Sequence, residues 1–189
     1  MPDKTELRRT LLAARDAIPA ESRRRWDAAI SARFLAWWEA NPLRSLSVYW
    51  PIRSEPDLRT LYMELASRGV RMALPVVVDN GSPLRFAAWT PGDPLASDAF
   101  GVPVPASTSA IIQPEALLIP CVAFTAARIR LGYGGGFYDR TLATSPRPLA
   151  IGVGYACALA AFRHEAHDIP LDMIFTEAEC LGNRPMQRP

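Results

Sequence analysis

Cysteine and histidine are scarce in this chain, and neither is arranged for the chemistry it usually signals. Cys121, Cys157 and Cys180 are odd in number, widely spaced and outside any Cys-x-x-Cys pattern. That argues against both a disulfide framework and a zinc site, and leaves them as reduced packing residues. His164 and His167 are the only histidines, and the HxxH pair lacks a third Cys or His nearby. A transition-metal site is therefore disfavoured. Neither histidine stands beside a convincing nucleophile, so no Ser-His-Asp or Cys-His arrangement can be argued and covalent catalysis is not expected. Long apolar runs are missing too. Nothing approaches the ~20 residues of a membrane span, and the opening MPDKTELRRT has no apolar segment of a secretory signal. No membrane association and a cytoplasmic location are expected. The formal net charge is only +2, too small to argue for nucleic acid as a partner. The arginine excess falls in the N-terminal quarter and reads as a mostly solvated helix face.

What the chain does have is an ordinary globular balance, 49% apolar and 21% charged over 189 residues, enough for a core of its own. A single domain spanning 1–189 is expected, without repeats or low-complexity tracts. Thr5 to Ile18 places Leu7, Leu11, Leu12 and Ile18 on one broad face with Lys4, Arg8, Arg9 and Arg15 largely elsewhere, an amphipathic helix that Pro19 ends. A second helix from about Glu21 to Ala40 carries Trp26, Ile30, Phe34, Trp37 and Trp38 as core residues and stops at Asn41-Pro42. Leu46 to Trp50 reads as a strand, Pro51 to Pro56 as a turn and Asp57 to Arg68 as a helix with Gly69 as its cap. Val70 to Val78 and Arg85 to Trp89 then form a hairpin around the turn signal Asp79-Asn80-Gly81-Ser82.

Thr90 to Pro114 is a long proline-rich connection, read as an ordered surface loop. Ala116 to Phe124 is nearly unbroken in its apolar character, a strand buried on both faces. A further buried strand follows at Leu149 to Tyr155, then a short helix from Cys157 to Phe162 and a last strand at Met173 to Thr176, with a loose tail after Glu177. Alternating helices and short buried strands predict a three-layer α/β/α domain with a mostly parallel mixed sheet and an antiparallel hairpin. In such sheets ligands sit beyond the C-terminal strand ends, where the loops after Trp50, Phe124 and Tyr155 would open.

The most informative segment is Arg130-Leu131-Gly132-Tyr133-Gly134-Gly135-Gly136-Phe137-Tyr138-Asp139-Arg140, which holds four of the 11 glycines in five positions. It lies between a buried strand and a predicted helix start. Glycines there bring bare N–H groups up to an anion at the positive end of a helix. Arg130 adds a cation that can fork onto phosphate oxygens. Asp139 is placed to hold a divalent metal carrying the same phosphates. The spacing is neither GxxxxGK[ST] nor GxGxxG. Alone, it could equally be a glycine-rich surface turn. Lys4 and Arg8, one helical turn apart, could grip a polyphosphate or simply form a solvated basic face. Glu55 leaves a strand end next to Trp50, where a carboxylate could accept from pterin N–H donors or stand as a helix-start acid beside Asp57.

This segment resembles the RLGxGxGYYD motif of the 5-formyltetrahydrofolate cyclo-ligase family, also called methenyltetrahydrofolate synthetases. The resemblance extends to an N-terminal KxxxR matched by Lys4 and Arg8, a folate-binding glutamate matched by Glu55, and an HD element matched by His167-Asp168. It implies ATP-dependent closure of 5-formyltetrahydrofolate to 5,10-methenyltetrahydrofolate with release of ADP and phosphate, by an enzyme of folate and one-carbon metabolism acting as a monomer. It assigns catalysis to Arg130 and Tyr138, and ATP binding to Lys4, Arg8, Arg130, Leu131, Gly132, Tyr133, Gly134, Gly135, Gly136, Phe137 and Tyr138. Substrate binding falls to Trp50, Glu55, Tyr133, Gly134, Gly135, Gly136 and Phe137. Asp139 and Asp168 would hold Mg²⁺, with Asp172 in reserve should the match slip. Two departures stand out. Thr125 replaces the aspartate and Arg128 the glycine of the family's FDxxGxR, so this turn is expected to differ, and an arginine forced to φ > 0 there would cost about 1 kcal/mol. Two alternatives are a non-catalytic nucleotide or formylfolate binder of the same fold, and a sugar-phosphate or CoA-ester enzyme of similar architecture.

Overall fold

The computed structural model describes residues 3–108, 110–165 and 168–182. The elements run α1 (Lys4–Asp16), α2 (Ala20–Ala40), β1 (Ser45–Ser47), α3 (Arg59–Ser67), β2 (Arg71–Val76) and β3 (Arg85–Ala88). They continue as β4 (Leu95–Ser97), β5 (Pro103–Pro105), β6 (Ala116–Pro120), β7 (Ala123–Phe124), β8 (Arg130–Leu131), α4 (Phe137–Leu142), β9 (Leu149–Val153), β10 (Met173–Phe175) and β11 (Cys180–Leu181). Local chemistry sets the boundaries. The Asp3 carboxylate accepts from the N–H groups of Thr5 and Glu6, satisfying two donors that the first turn of α1 leaves over. Asn41 closes α2 by donating its side-chain amide to the Trp37 carbonyl, and Pro42 cannot continue the helix. Gly69, at φ +86°, ends α3 while Val70 N–H returns to the Leu65 carbonyl.

The main sheet has seven strands in the order β11-β10-β9-β6-β1-β2-β3. Its five central strands are parallel, and antiparallel β3 and β11 form the edges. Strand alternation divides the core between two faces. Leu46, Val48, Met72, Leu74, Leu118, Ile151, Val153, Met173 and Phe175 face α2 and α3, where Ile30, Phe34, Leu61 and Leu65 close over them. Ala73, Leu117, Ile119, Ala150 and Ile174 point the other way, against Leu142 of α4 and Phe124, Ala158 and Leu171. Each fully buried Leu or Ile contributes roughly 1.5–3 kcal/mol of transfer free energy to this arrangement. Leu7 and Leu11 of α1 instead pack on Ile129, Leu131 and Phe162, seating that helix over the β7–β8 hairpin.

Sheet order positions the site. From β1 the chain passes through α3 to β2 on one side, whereas β6 leads to β9 on the other. Neighbouring β1 and β6 therefore mark a switch point, and their C-terminal ends diverge into a crevice.

Several expectations are corrected. The 90–114 segment is not featureless, since β4 and β5 pair as a small antiparallel sheet within it. The apolar run 116–124 breaks after β6 because β7 leaves the main sheet to pair with β8. The helix expected at 157–162 is a single 3-10 turn over Ala156–Ala158. Met173 to Thr176 is not the last strand, because β11 adds an antiparallel edge within the supposedly loose tail. Cys121 is buried, but Cys157 is exposed rather than packed.

Candidate active site

A cavity of about 650 Å³ opens at the switch point between β1 and β6, within the size range of small-molecule sites. Apart from the reserve candidate Asp172, every residue singled out from the sequence for ATP, substrate, metal or catalysis borders it: Lys4, Arg8, Trp50, Glu55, the whole run Arg130 to Asp139, and Asp168. Of the three loops expected to open there, the one after Trp50 does so through Ile52, Arg53 and Glu55 and the one after Phe124 through its glycine-rich part from Arg130 on, whereas no residue of the loop after Tyr155 up to Phe162 borders it. Its place is taken by the segment carrying Glu165 and Asp168, and by Asp98, Phe100, Val102 and Pro103 of the β4–β5 arm.

The glycine-rich loop is shaped by two left-handed glycines, Gly134 at φ +101° and Gly136 at φ +65°, the latter standing immediately before α4. Because α4 is only six residues long, its dipole adds little, and the cationic side chains dominate the potential here. Arg130 is almost wholly enclosed, with its side chain 8% exposed, and donates to Asp139 Oδ2 at 3.1 Å. The Tyr138 ring lies 5.3 Å from its guanidinium carbon, a cation–π contact that fixes its plane. Burial pushes the Tyr138 hydroxyl upward from its usual range, so it keeps its proton. Arg8 donates Nε–H to the Gly132 carbonyl at 2.7 Å and so holds the loop from α1.

Lys4 reaches Asp168 Oδ2 at 2.9 Å and Glu165 Oε1 at 3.3 Å. Partial burial works against its charge, but the hydrogen bonds and charges of those two carboxylates outweigh it and hold the ammonium above its ordinary range. Asp168 also accepts from Glu165 N–H. Asp172, the reserve candidate, is committed elsewhere. It accepts from Ala150 N–H and Arg147, pinning β9, and does not border the cavity. His164 is exposed and also away from the cavity, while His167 lies outside the described residues.

Glu55 is 5% exposed. One carboxylate oxygen accepts from Ile52 N–H at 2.9 Å and the other from the Tyr133 hydroxyl at 2.7 Å. Burial raises its protonation range, and those two donors, with Arg15 and Arg53, restrain the rise. Trp50 stacks edge-on against Trp89 at 6.1 Å with the Arg59 guanidinium 5.1 Å from its ring.

Two features escaped sequence reasoning. Arg15 was expected on the outer face of α1, yet it is buried at 5% exposure. Phe100 packs on Phe137 at 6.1 Å from the arm inside the proline-rich connection; an aromatic in a polar loop was the available signal. In the turn carrying Thr125 and Arg128, Arg128 takes φ +63°, the positive φ anticipated at that position, and the Thr125 hydroxyl accepts from Ile129 N–H at 3.2 Å, a bond that an aspartate carboxylate could equally accept.

Comparison with known proteins gives a consistent result. The model of the 5-formyltetrahydrofolate cyclo-ligase family matches residues 1–177. A 5-formyltetrahydrofolate cyclo-ligase of Mycolicibacterium smegmatis is 31% identical over 186 residues, covering 92% of this chain and 93% of that protein. The one from Escherichia coli is 28% identical, covering 87% and 95%. The solved structure of Aquifex aeolicus 5,10-methenyltetrahydrofolate synthetase superposes with a TM-score of 0.80 at 29% identity, covering 98% of this chain and 94% of that one. A Mycoplasma pneumoniae synthetase shares the fold at a TM-score of 0.77 and 21% identity, covering 93% and 99%. With the match running through both the glycine-rich loop and the N-terminal helix, the chain belongs to the 5-formyltetrahydrofolate cyclo-ligase family.

Proposed function

We propose that the protein closes 5-formyltetrahydrofolate to 5,10-methenyltetrahydrofolate, consuming ATP and releasing ADP and phosphate. The observation that carries this reading is that one cavity at the switch point is bordered both by a buried carboxylate suited to pterin N–H donors, Glu55, and by a glycine-rich loop with enclosed Arg130. A reaction between two small molecules needs both in one enclosure.

In the first step the formyl oxygen attacks the γ-phosphorus, forming a P–O bond as the bond to ADP breaks. The neighbouring folate nitrogen then attacks the formyl carbon. Its proton is lost, the C–O bond breaks, and phosphate departs carrying the former formyl oxygen. Both ring-closing atoms belong to one substrate, so no protein nucleophile is required. Cys121, the cysteine next to this site in sequence, has its thiol pushed up to about 12 by burial and stays protonated at neutral pH.

The chain's own residues position and neutralise. Arg130 offsets charge on the transferring phosphoryl group, an effect of the kind worth 10²–10³ in turnover. Tyr138 keeps Arg130 in plane. Lys4 and Arg8 engage the polyphosphate from α1, while Leu131 to Phe137 supply loop N–H groups to the nucleotide and, from Tyr133 onward, a wall for the folate. Trp50 gives the pterin an aromatic edge. Asp139 and Asp168 both border the cavity and offer hard carboxylate oxygens, with no thiolate or imidazole among the described residues bordering it, a donor chemistry that fits Mg²⁺. Bound there, Mg²⁺ would neutralise charge on the ATP phosphates.

The route is tested by isotope transfer. With ¹⁸O in the formyl group, the label is expected in the released phosphate; label retained in a folate product or lost to water would exclude attack by the formyl oxygen.

A further inference from the structure

The stripe of α1 that faces the protein carries Lys4, Arg8 and Arg15. The first two border the cavity and the third does not. Arg15 is nevertheless the buried one, and among the described residues no carboxylate forms an ion pair with its guanidinium. Nε–H donates to the Arg53 carbonyl at 3.0 Å and Nη2 donates to the Tyr133 hydroxyl at 2.7 Å, while Nη1 is buried without a hydrogen-bond partner among the described residues. Taking a guanidinium out of water this far is costly unless its neighbours offset it. A helix that only needed to pack would carry leucine here.

The two groups it holds are informative. Tyr133 passes its own proton on to Glu55 Oε1 at 2.7 Å, giving a continuous chain from guanidinium through hydroxyl to carboxylate. Arg53 and Ser54 occupy the middle of a tight turn, closed by Glu55 N–H to the Ile52 carbonyl at 2.9 Å, and both are left-handed at φ +46° and +59°. Neither is glycine. Two such residues in succession are strained and persist only where surrounding contacts over-determine them. Arg15 supplies one of those contacts at the Arg53 carbonyl, and Arg53 in turn lies 5.2 Å over the Tyr133 ring.

We propose that Arg15 is a positioning residue for Glu55, fixing the carboxylate through Tyr133 and the strained turn through the Arg53 carbonyl, so that the folate side and the glycine-rich loop are set in place by one guanidinium. That Glu55 receives the pterin rests on the reading given above; that Arg15 governs Glu55 does not.

The groups facing Glu55 decide the sign of the effect. Arg15 from α1 and Arg53 from its own turn favour the carboxylate, as does the Tyr133 hydroxyl of the glycine-rich loop. Tyr49, Tyr62 of α3, Tyr138 of α4 and Cys121 also feel the Glu55 charge, but all are pushed upward by burial and stay neutral at the pH of interest. Removing Arg15 thus leaves burial opposed by fewer partners.

The experiment follows the Glu55 carboxyl by ¹³C NMR titration of the ligand-free protein, in wild type, Arg15→Met, Arg15→Lys and Tyr133→Phe, alongside steady-state kinetics. Arg15→Met is expected to raise the Glu55 midpoint by at least about one pH unit. It should raise KM for 5-formyltetrahydrofolate about tenfold or more with kcat within about threefold, the KM defect widening as pH falls. Arg15→Lys, which keeps the charge, should recover most of the midpoint. An unmoved midpoint in Arg15→Met overturns the proposal. If that variant does not fold, Tyr133→Phe, which leaves Arg15 in place and cuts the relay, must raise the midpoint, and an unmoved value there overturns it equally. A moved midpoint with an unchanged folate KM in both Arg15→Met and Glu55→Gln upholds the role of Arg15 and refutes the placing of the pterin on Glu55.

Discussion

Replacing Arg128 by alanine and by glycine separates two contributions that its turn combines. At φ +63° the Cβ of Arg128 carries a steric cost of about 1 kcal/mol. Against this stands the bond from its Nε–H to the Leu171 carbonyl at 3.0 Å, in a part-buried position where solvent holds a hydrogen bond to the ordinary net worth of about 1 kcal/mol. Its aliphatic stem also lies against Gly182, close enough that a Cβ there would approach Cδ to 3.0 Å. The main-chain bond from Leu171 N–H to the Arg128 carbonyl survives either change. Alanine keeps the steric cost and loses the side-chain bond, so Arg128→Ala is expected to be less stable by about 1–1.5 kcal/mol. Glycine loses the same bond and sheds the cost, leaving Arg128→Gly within about 0.5 kcal/mol of wild type. For a chain of this length that difference separates the two variants by roughly 2–4 °C in melting temperature, measurable by calorimetry. Since Arg128 does not border the cavity, turnover should stay within about twofold in both, and in the double reversion Thr125→Asp with Arg128→Gly. A glycine variant less stable than the alanine one would refute the conformational argument. A rise in turnover of fivefold or more on double reversion would show that the substituted turn impairs the site.

Four further outcomes are expected. Arg130→Ala should lower kcat by at least ~100-fold without changing the melting temperature by more than a few degrees; near-normal turnover would remove Arg130 from the chemistry. In Gly132→Ala the new methyl would collide with the Arg130 guanidinium, so turnover should fall by at least tenfold while ATP still binds by calorimetry. Lys4 is the only lysine in the sequence, so an amine-acylating reagent can mark only it and the chain's amino terminus; ATP with Mg²⁺ should slow Lys4 labelling severalfold, as read by peptide mass spectrometry. Asp27, whose carboxylate accepts from Tyr155, is pushed up to about 6 by burial. The folded protein holds this proton longer than the unfolded chain does, so stability is lost as pH rises from about 4 to about 6 and is flat above. Asp27→Asn should remove that slope, worth of order 1 kcal/mol for a half-exposed group, in denaturant titrations across that range.

The parts of the site that sequence made legible are those whose geometry is local. A glycine-rich run between a buried strand and a helix start must form a loop at a strand end, and Lys4 and Arg8 at i and i+4 must share a face. Parallel order then brought Glu55 and Arg130 to the same crevice, because β1 and β6 are neighbours whose connections diverge. Arg15 was hidden for the opposite reason. Its partners lie 38 and 118 residues away, a carbonyl and a hydroxyl that no helical pattern reports. On a helical wheel it counted as polar and hence outward. The β4–β5 arm was missed because three-residue strands built around Pro103 and Pro105 carry almost no alternation. At the Thr125 to Arg128 turn the positive φ was legible, but not the bond that the arginine gains there, because its acceptor lies 43 residues away.

The most direct test of the account is the absorbance of the methenylfolate band on mixing the pure protein with 5-formyltetrahydrofolate, ATP and Mg²⁺, against a control without ATP. A rise is expected with ATP and none in the control. A flat trace, with ATP or folate binding still seen by calorimetry, would contradict it and leave a protein that holds these ligands without joining the ring.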